Sequence, residues 1–329
     1  MKHVKISVVL LLLMVLVSCH KTENIAGESS VFLKSDTRSM AQLDSHGFLV
    51  FDSREAFDDY LTEIKDLSID QVEEMNLSIG FHSSKDRMEN GIRDFKNLNS
   101  GVTDEMLLSL VDANGLIQVG DNIFKVETDL GYCWTMNRIY LKSDYDKLIR
   151  DEFNPETMNR FSVSIEEELD IDIYEYLEKG IVGVDQWNKL HARGIFGDDH
   201  KPPPVDECSA AGICNRGDAK ACYQNALVYK SLYTELKTYK KGSGSSTWTP
   251  LSTDICKWNN TLGNTNWTFT PRKLSQQSGS SSTCNNGYHH DHRPYNGTRR
   301  LTQYAINGNF RFLCPTTNVW KEHHAGVFN

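Results

Sequence analysis

Hydrophobic residues in the first half of the chain alternate between strand-like runs and helix-like spacing. Residues 48–51 form a short apolar run typical of a strand, and Ser53 can cap a helix directly after it. Residues 103–111 repeat the helical pattern, and two apolar runs within residues 116–126 predict a hairpin. The pattern therefore predicts an α+β N-terminal domain, which we place at residues 47–200. Apolar positions with helical spacing follow Ser53: Phe57, Tyr60, Leu61 and Ile64.

After residue 200 the hydrophobic positions fall into strand-like runs rich in Thr, Tyr and Trp. Asn307 and Gly308 lie between two such runs and predict a hairpin turn, because both residue types tolerate positive φ. Residues 225–240 fit either a helix or a strand, and their Tyr and Thr content favours the strand. The pattern predicts a mainly antiparallel, β-sandwich-like C-terminal domain at residues 201–329.

Proline and charge both support a boundary near residue 200. Residues 202–204 are three consecutive prolines, which prevent helix formation and ladder pairing alike. Residues 20–200 hold 37 acidic and 18 basic side chains, a balance of −19, whereas residues 201–329 hold 7 and 15, a balance of +8. The net charge of −9 thus combines an acidic half and a basic half. The basic half can serve an anionic ligand, or the two halves can dock on each other.

The first residues have the organisation of an export signal. Two lysines precede the apolar residues 6–17, a segment too short to cross roughly 30 Å of hydrocarbon, which predicts a signal peptide over residues 1–18. The segment ends Leu16-Val17-Ser18-Cys19, which resembles the lipobox of bacterial lipoproteins. The resemblance implies acylation of Cys19, which then becomes the mature N-terminus, anchored in a membrane by several acyl chains.

Residues beyond the lipobox extend this resemblance. His20 stands where inner-membrane lipoproteins of enterobacteria have Asp, so the resemblance implies the outer membrane. Residues 19–46 are polar and aperiodic, which predicts a flexible tether between lipid and fold. The chain also resembles the uncharacterised lipoproteins of Bacteroidetes. The resemblance lies in the strand and helix of residues 48–64 and in residues 116–121 and 320–324.

Six of the eight cysteines lie in the basic half. An even number in an exported, loop-rich domain predicts up to three disulfides, with 15 possible pairings. A zinc site is the alternative, but the paired C-x2-C spacing typical of such sites is absent from the sequence. Cys133 lies in the acidic half and is interpreted as a small buried hydrophobe. The disulfide candidates are Cys208, Cys214, Cys222, Cys256, Cys284 and Cys314.

The basic half also concentrates aromatic and cationic side chains. Aromatic rings interleaved with cations bind sugars or anionic polymers through stacking and charge. The alternative is that several of these rings form the core of the sandwich. The candidate ligand-binding residues are Trp248, Trp258, Trp267, Tyr239, Lys240, Lys241, Arg299 and Arg300.

Five of the 11 histidines lie in the last 41 residues and define a candidate metal site. In an extended segment His290 and His292 share one face, where they can hold Zn²⁺ if His324 or Asp291 comes near. A zinc-bound water would then make the protein a hydrolase. However, no H-E-x-x-H motif accompanies these residues, and a solvated or pH-responsive polar loop is the alternative.

Composition and motifs together favour binding over catalysis. With 39% apolar and 24% charged residues, the chain has the composition of a folded protein, which excludes a disordered tail protein, a collagen and a multi-span membrane protein. The sequence has no phosphate loop, dinucleotide fingerprint or nucleophile elbow. We expect a lipid-anchored, non-catalytic envelope protein that binds a glycan or another anionic polymer, with no cofactor and no nucleic acid. A zinc-dependent hydrolase is the alternative.

Overall fold

Strands outnumber helices in the computed structural model, which describes residues 41–89, 104–127, 131–187, 197–257 and 265–329. These residues form three sheets of six strands each, and most neighbouring strands are antiparallel. The helices of the described residues all precede residue 200, and a short 3-10 helix (Arg138–Tyr140) leads into the fifth of them. The helices are α1 (Arg54–Ile64), α2 (Ile69–Ser78), α3 (Ser84–Glu89), α4 (Glu105–Leu110), α5 (Leu141–Ile149), α6 (Ile165–Glu168) and α7 (Ile173–Leu177).

The first sheet contains its six strands in chain order. Only β2 and β3 are parallel among its described strands, and helices α1 to α4 connect them. The predicted hairpin of residues 116–126 is confirmed: Val119 pairs with Asn122 across a turn in which Gly120 has a φ of 59°. The strands are β1 (Gln42–Leu43), β2 (Leu49–Phe51), β3 (Leu116–Val119), β4 (Asn122–Glu127), β5 (Tyr132–Asn137) and β6 (Met158–Ser162).

Side-chain caps explain where the helices begin. The Ser53 hydroxyl accepts a hydrogen bond from the Ala56 backbone N–H at the start of α1, as the sequence predicted. Ser68 and Gln71 form a capping box at the start of α2, and Asp104 caps α4. The predicted apolar face of α1 is buried in the core: Phe57, Tyr60, Leu61 and Ile64.

The second and third sheets contain the strands after residue 196. In the second sheet β10 lies between β9 on one side and β11 and β16 on the other, while β7 and β8 pair with β9. Its strands are β7 (Gly197–His200), β8 (Val205–Cys208), β9 (Cys214–Asn225), β10 (Lys230–Lys241), β11 (Thr249–Pro250) and β16 (His289–Gly297). The strands of the third sheet are β12 (Thr253–Lys257), β13 (Thr265–Pro271), β14 (Gln277–Ser281), β15 (Cys284–Gly287), β17 (Leu301–Cys314) and β18 (Val319–Phe328).

Apolar side chains of the second and third sheets face one another and form a shared core. The core includes Leu232 and Leu236 from β10 and Phe310 and Phe312 from β17. This sandwich-like C-terminal region agrees with the sequence prediction, and the strand interpretation of residues 225–240 is confirmed by β10. The molecule as described is mostly β, and the α+β interpretation of residues 47–200 stays a prediction.

The predicted hairpin turn at Asn307 and Gly308 is wrong. Both residues lie in the middle of β17, where Asn307 pairs with Asn266 on one side and with Gly326 on the other. A Cβ atom on Gly308 would approach the Cβ of Thr234 to 2.8 Å. The glycine is therefore explained by close approach between the two sheets rather than by a turn.

The described residues from 41 onwards belong to one compact unit. The turn between β9 and β10, residues 226–229, packs into the core cluster that contains α1, α4 and much of the first sheet. The acidic and basic halves therefore share a core. The boundary near residue 200 remains a prediction about sequence organisation.

Candidate binding surface

The second sheet has one apolar face and one polar face. Consecutive strand residues point to opposite faces, so the even-numbered Leu232 and Leu236 enter the sandwich core while the odd-numbered side chains of β10 point away from it. These odd-numbered residues form a polar row along β10: Ser231, Tyr233, Glu235, Lys237, Tyr239 and Lys241.

The start of this polar row contacts the acidic half at helix α4. The carboxylate of Asp104 accepts hydrogen bonds from the Ser231 hydroxyl and, at 3.0 Å, from the Tyr229 hydroxyl. The Arg293 guanidinium of β16 lies 2.8 Å from the same carboxylate, with both side chains buried. Further along the row, Lys237 Nζ lies 2.5 Å from Glu105 Oε1. We refer to all contacts between residues before and after residue 200 as the internal interface.

A fully buried ion pair lies beside the turn of the β9–β10 hairpin. Lys230 Nζ lies 3.0 Å from Glu166 Oε2 and also donates to the backbone carbonyls of Leu227 and Thr298. The ammonium therefore has an acceptor for each of its three N–H bonds. Burial lowers the pKa of Lys230, and the Glu166 carboxylate opposes this change. The contact joins β10 to α6 of the acidic half.

More exposed ion pairs extend the internal interface to the surface. Arg300 Nη2 lies 2.5 Å from Asp170 Oδ1, and Arg272 Nε lies 3.7 Å from the same atom. Lys273 Nζ lies 2.6 Å from Glu175 Oε1. Cations of the basic half thus pair with carboxylates of the acidic half, as the docking alternative predicted. Arg300, a candidate ligand-binding residue, is one of them.

At the far end of the β9–β10 hairpin, two cations contact one tryptophan ring. The Arg216 guanidinium carbon lies 4.1 Å from the Trp248 ring centroid, and Lys241 Nζ lies 4.7 Å from it. Tyr239 stands directly opposite Arg216 in the strand register. All four side chains are half-buried. With Asp206 they form what we call the Trp248 patch.

Asp206 is the acidic member of the Trp248 patch. Arg216 Nε and Nη2 donate to its two carboxylate oxygens at 2.7 and 2.9 Å, a bidentate pair. These hydrogen bonds hold the pKa of Asp206 below its usual value. The patch therefore contains two cations and one carboxylate, and its chemistry suits an anionic ligand better than a neutral one.

The other predicted ligand-binding residues lie apart from this patch. Lys240 is exposed and, as the neighbour of Lys241 in a strand, projects to the opposite face of the sheet. Trp267 packs against the sandwich core, with its ring centroid 4.8 Å from that of His292. Arg299 is half-buried, and its backbone carbonyl accepts a hydrogen bond from Tyr295. Trp258 lies outside the described residues, as does the lipidation candidate Cys19.

The histidines of the candidate metal site do not converge. The His292 ring lies beside Trp267, and the His290 ring meets Phe310 edge-on at 6.4 Å between centroids. His324 is exposed on β18 with its Nδ1 2.8 Å from Asn309 Oδ1, on the outer face of the third sheet. Asp291 instead accepts a hydrogen bond from Arg293 Nε. Within the residues that the structure describes, no group of three or more His, Cys, Asp or Glu could hold a metal ion.

Four of the six candidate cysteines form two disulfides, Cys208–Cys214 and Cys256–Cys284. Each joins residues directly opposite each other in neighbouring strands. Cys222 and Cys314 are buried thiols. Cys314 lies near the start of β9, because Thr316, two residues after it, donates a hydrogen bond to Asn215. Cys222 lies roughly 23 Å further along β9. This distance separates the two thiols. Cys133 is fully buried in the core, as a small hydrophobe would be, and burial raises its pKa.

No family model matches this chain, and no curated protein matches it significantly. Among solved structures it is similar to a DUF4848 family protein from Bacteroides thetaiotaomicron VPI-5482. The sequence identity is 11%, the match covers 88% of this chain and 100% of the other, and the TM-score is 0.20. Lipid anchoring stays a prediction. No helix of the described residues is long and apolar enough to span a membrane.

Sequence reasoning missed Asp206 and Arg216 as members of the site. The signal was their symmetric spacing around two cysteines: Asp206 is two residues before Cys208, and Arg216 is two residues after Cys214. If those cysteines are cross-strand partners, the residues two positions out on each strand face each other on the same side of the sheet. An opposite-charge pair at these positions is then expected. The pairing of the six cysteines had to be known first.

Proposed function

We propose that this protein is a lipid-anchored protein of the bacterial outer membrane that binds an anionic polymer, such as an acidic polysaccharide, and has no catalytic role. The observation that supports it is the Trp248 patch, where Arg216 and Lys241 lie 4.1 and 4.7 Å from one ring centroid. Other cations of the basic half are paired within the internal interface, among them Lys237 and Arg293. The two cations of the Trp248 patch are instead half-buried and lie against one half-buried ring.

The geometry of the patch favours charge over stacking as the source of affinity. Cations that pack on Trp248 use the ring face that a neutral sugar would need for stacking. The same packing restricts two long side chains, so less conformational entropy is lost when an anion binds both of them. An anionic polymer is therefore a better ligand class for this surface than a neutral glycan.

The rest of the proposal comes from the sequence. Cys19 would carry the acyl chains and residues 19–46 would form the tether to the outer membrane, on a leaflet that we leave open. The polymer would then be a component of the envelope or of its surroundings. We also keep the interpretation of residues 47–200 as an α+β domain.

Binding to matched polymers tests the ligand class. The soluble mature chain, residues 20–329, should bind dextran sulfate and polygalacturonate but not uncharged dextran, and the affinity should fall as salt rises. Lys241→Ala should weaken binding about fivefold, as expected for loss of one charge contact of about 1 kcal/mol. Lys240→Ala is the matched control on the opposite face and should change little. No binding to either polyanion, or equal losses in the two lysine variants, would contradict the proposal.

Anchoring is tested separately in cells. Cys19→Ala should abolish incorporation of radiolabelled palmitate and release the protein from the membrane fraction. The unchanged chain should be labelled and should sediment with outer membranes. Palmitate labelling that survives the substitution would contradict lipidation at this residue.

A further inference from the structure

The anion-binding group of the Trp248 patch is already occupied by a side chain of the protein. Arg216 directs Nε and Nη2 at the two oxygens of Asp206, at 2.7 and 2.9 Å. A planar guanidinium binds an external carboxylate or sulfate through the same two N–H groups. A ligand oxyanion and Asp206 therefore cannot both use this edge of Arg216.

Asp206 is held in place by its strand. It lies in β8, a strand of four residues that pairs with β9, and it stands directly opposite Arg216. The Cys208–Cys214 disulfide joins the same two strands two residues further along. On the other face of β8, Lys321 Nζ lies 2.5 Å from Glu207 Oε2. These constraints keep the Asp206 carboxylate beside Arg216 at a high effective concentration.

We infer that Asp206 is a built-in competitor for the ligand of the Trp248 patch, positioned by the Cys208–Cys214 disulfide. This inference rests on the proposed function and concerns regulation of the same surface. To use this edge of Arg216, a bound polymer must present an oxyanion, either carboxylate or sulfate, that displaces Asp206. Contacts with Lys241 contribute to binding whether or not Asp206 is displaced. The competitor lowers affinity for isolated anions and favours polymers that offer several charges at once.

Asp206→Asn is the central variant. It removes the competing charge, and affinity for dextran sulfate and polygalacturonate should rise about tenfold in the full mature chain. Asp254→Asn makes the same substitution in β12 of the third sheet, where Asp254 accepts a hydrogen bond from Asn286, and should leave the affinity within about twofold of the original. The two polymers report whether sulfate or carboxylate competes better with Asp206.

A second pair of variants tests the role of the disulfide. Replacing Cys208 and Cys214 by Ser frees β8 from its covalent link, so affinity should rise in the same direction as for Asp206→Asn but by less. The matched control replaces Cys256 and Cys284 by Ser, because that disulfide also joins opposite residues of neighbouring strands but lies in the third sheet. The control should leave binding unchanged.

The Arg216→Ala background separates competition from general electrostatics. If Asp206 acts through Arg216, Asp206→Asn should give no further gain once Arg216 is absent. An equal gain in both backgrounds would overturn the inference. Equal binding by Asp206→Asn and by the original chain would also overturn the inference, but it would leave the proposed function standing. If Asp206→Asn binds the polymers and the original chain does not, the result supports Asp206 as a competitor and contradicts the proposed function of the unmodified protein. If neither protein binds, both the inference and the proposed function are overturned.

Discussion

His323 is held neutral by its surroundings on β18. Burial lowers its pKa to about 4, and the neighbouring His324 and His200 add to the effect because a second positive charge would be repelled. The His324 backbone N–H also donates to His323 Nδ1 at 3.0 Å, a contact that requires that nitrogen to be unprotonated. The folded state therefore binds a proton at His323 less readily than the unfolded chain does.

This difference predicts acid sensitivity above pH 4. The unfolded chain takes up a proton near pH 6.5 and the folded protein near 4, so stability falls as the pH drops through this window. Between pH 7 and 4.5 the free energy of unfolding should lose about 2 kcal/mol through this residue alone. Urea unfolding at pH 7 and at pH 4.5 measures this loss of stability in the original chain and in His323→Asn. The exposed His82→Asn is the control. An equal pH dependence in all three proteins would contradict this assignment.

The Lys230–Glu166 ion pair gives a second prediction at this scale. Both side chains are fully buried, and Glu166 Oε1 also accepts the Ile173 backbone N–H. Glu166→Gln keeps an acceptor but leaves the ammonium without a counter-charge, which should cost about 3–5 kcal/mol. Adding Lys230→Met to that variant should restore part of the loss, because neither position of the pair then carries a charge. A double-mutant cycle in urea measures both values, and strictly additive effects would contradict the pairing.

Close approach between strands determines how the second and third sheets pack. A Cβ atom on Gly217 of β9 would lie 2.3 Å from Phe312 Cε1, a contact that real Cβ atoms do not make. Gly217 therefore lets β9 pack on β17 with the phenylalanine ring between the two strands. Gly308 has the same role on β17, against Thr234 of β10.

Gly217→Ala should lower stability by about 1–3 kcal/mol, since the ring and the strands would have to move apart. Gly242, at the end of β10, would meet nothing within 4 Å if it carried a Cβ atom, so Gly242→Ala is the matched control and should be near neutral. Urea unfolding of the two variants compares them directly. If the control loses as much stability as Gly217→Ala, close packing is not the cause.

Helix α1 and strand β17 show how far sequence patterns predict this fold. Helix α1 could be predicted because Ser53 and the spacing of Phe57 and Ile64 are local signals. The turn at Asn307 and Gly308 was mispredicted because the same glycine suits a tight turn and a close sheet contact, and only the neighbouring sheet distinguishes them. The members of the candidate site were partly predictable, since Trp248 and Lys241 are conspicuous while the role of Arg216 depends on β8.

At the scale of the whole molecule, the β9–β10 hairpin connects the two halves. Its turn lies in the core shared with α1 and α4, and its open end carries the Trp248 patch. Each strand has 12 residues, so roughly 40 Å separates the two ends. The hairpin thus links the core of the acidic half to the candidate binding surface.

This arrangement predicts that the two halves unfold together. Peptides from residues 116–137 and residues 301–328 should lose protection against hydrogen exchange at the same urea concentration, because separating the halves would expose the shared core, including the apolar turn at residues 226–229. Mass spectrometry of pulse-labelled samples measures both regions in one experiment. Two midpoints separated by more than experimental error would show that the halves fold independently.

The sequence by itself determined the local features of this protein: the apolar segment and Cys19 that predict export and anchoring, the first helix and hairpin, and the unequal charge of the two halves. These follow from neighbouring residues. Only the tertiary structure decided which cations the internal interface uses and which remain around Trp248, because residues far apart in the chain make those pairs. The strand register is likewise set only in the folded structure. It placed Lys240 and Lys241 on opposite faces, and it set Asp206 against Arg216.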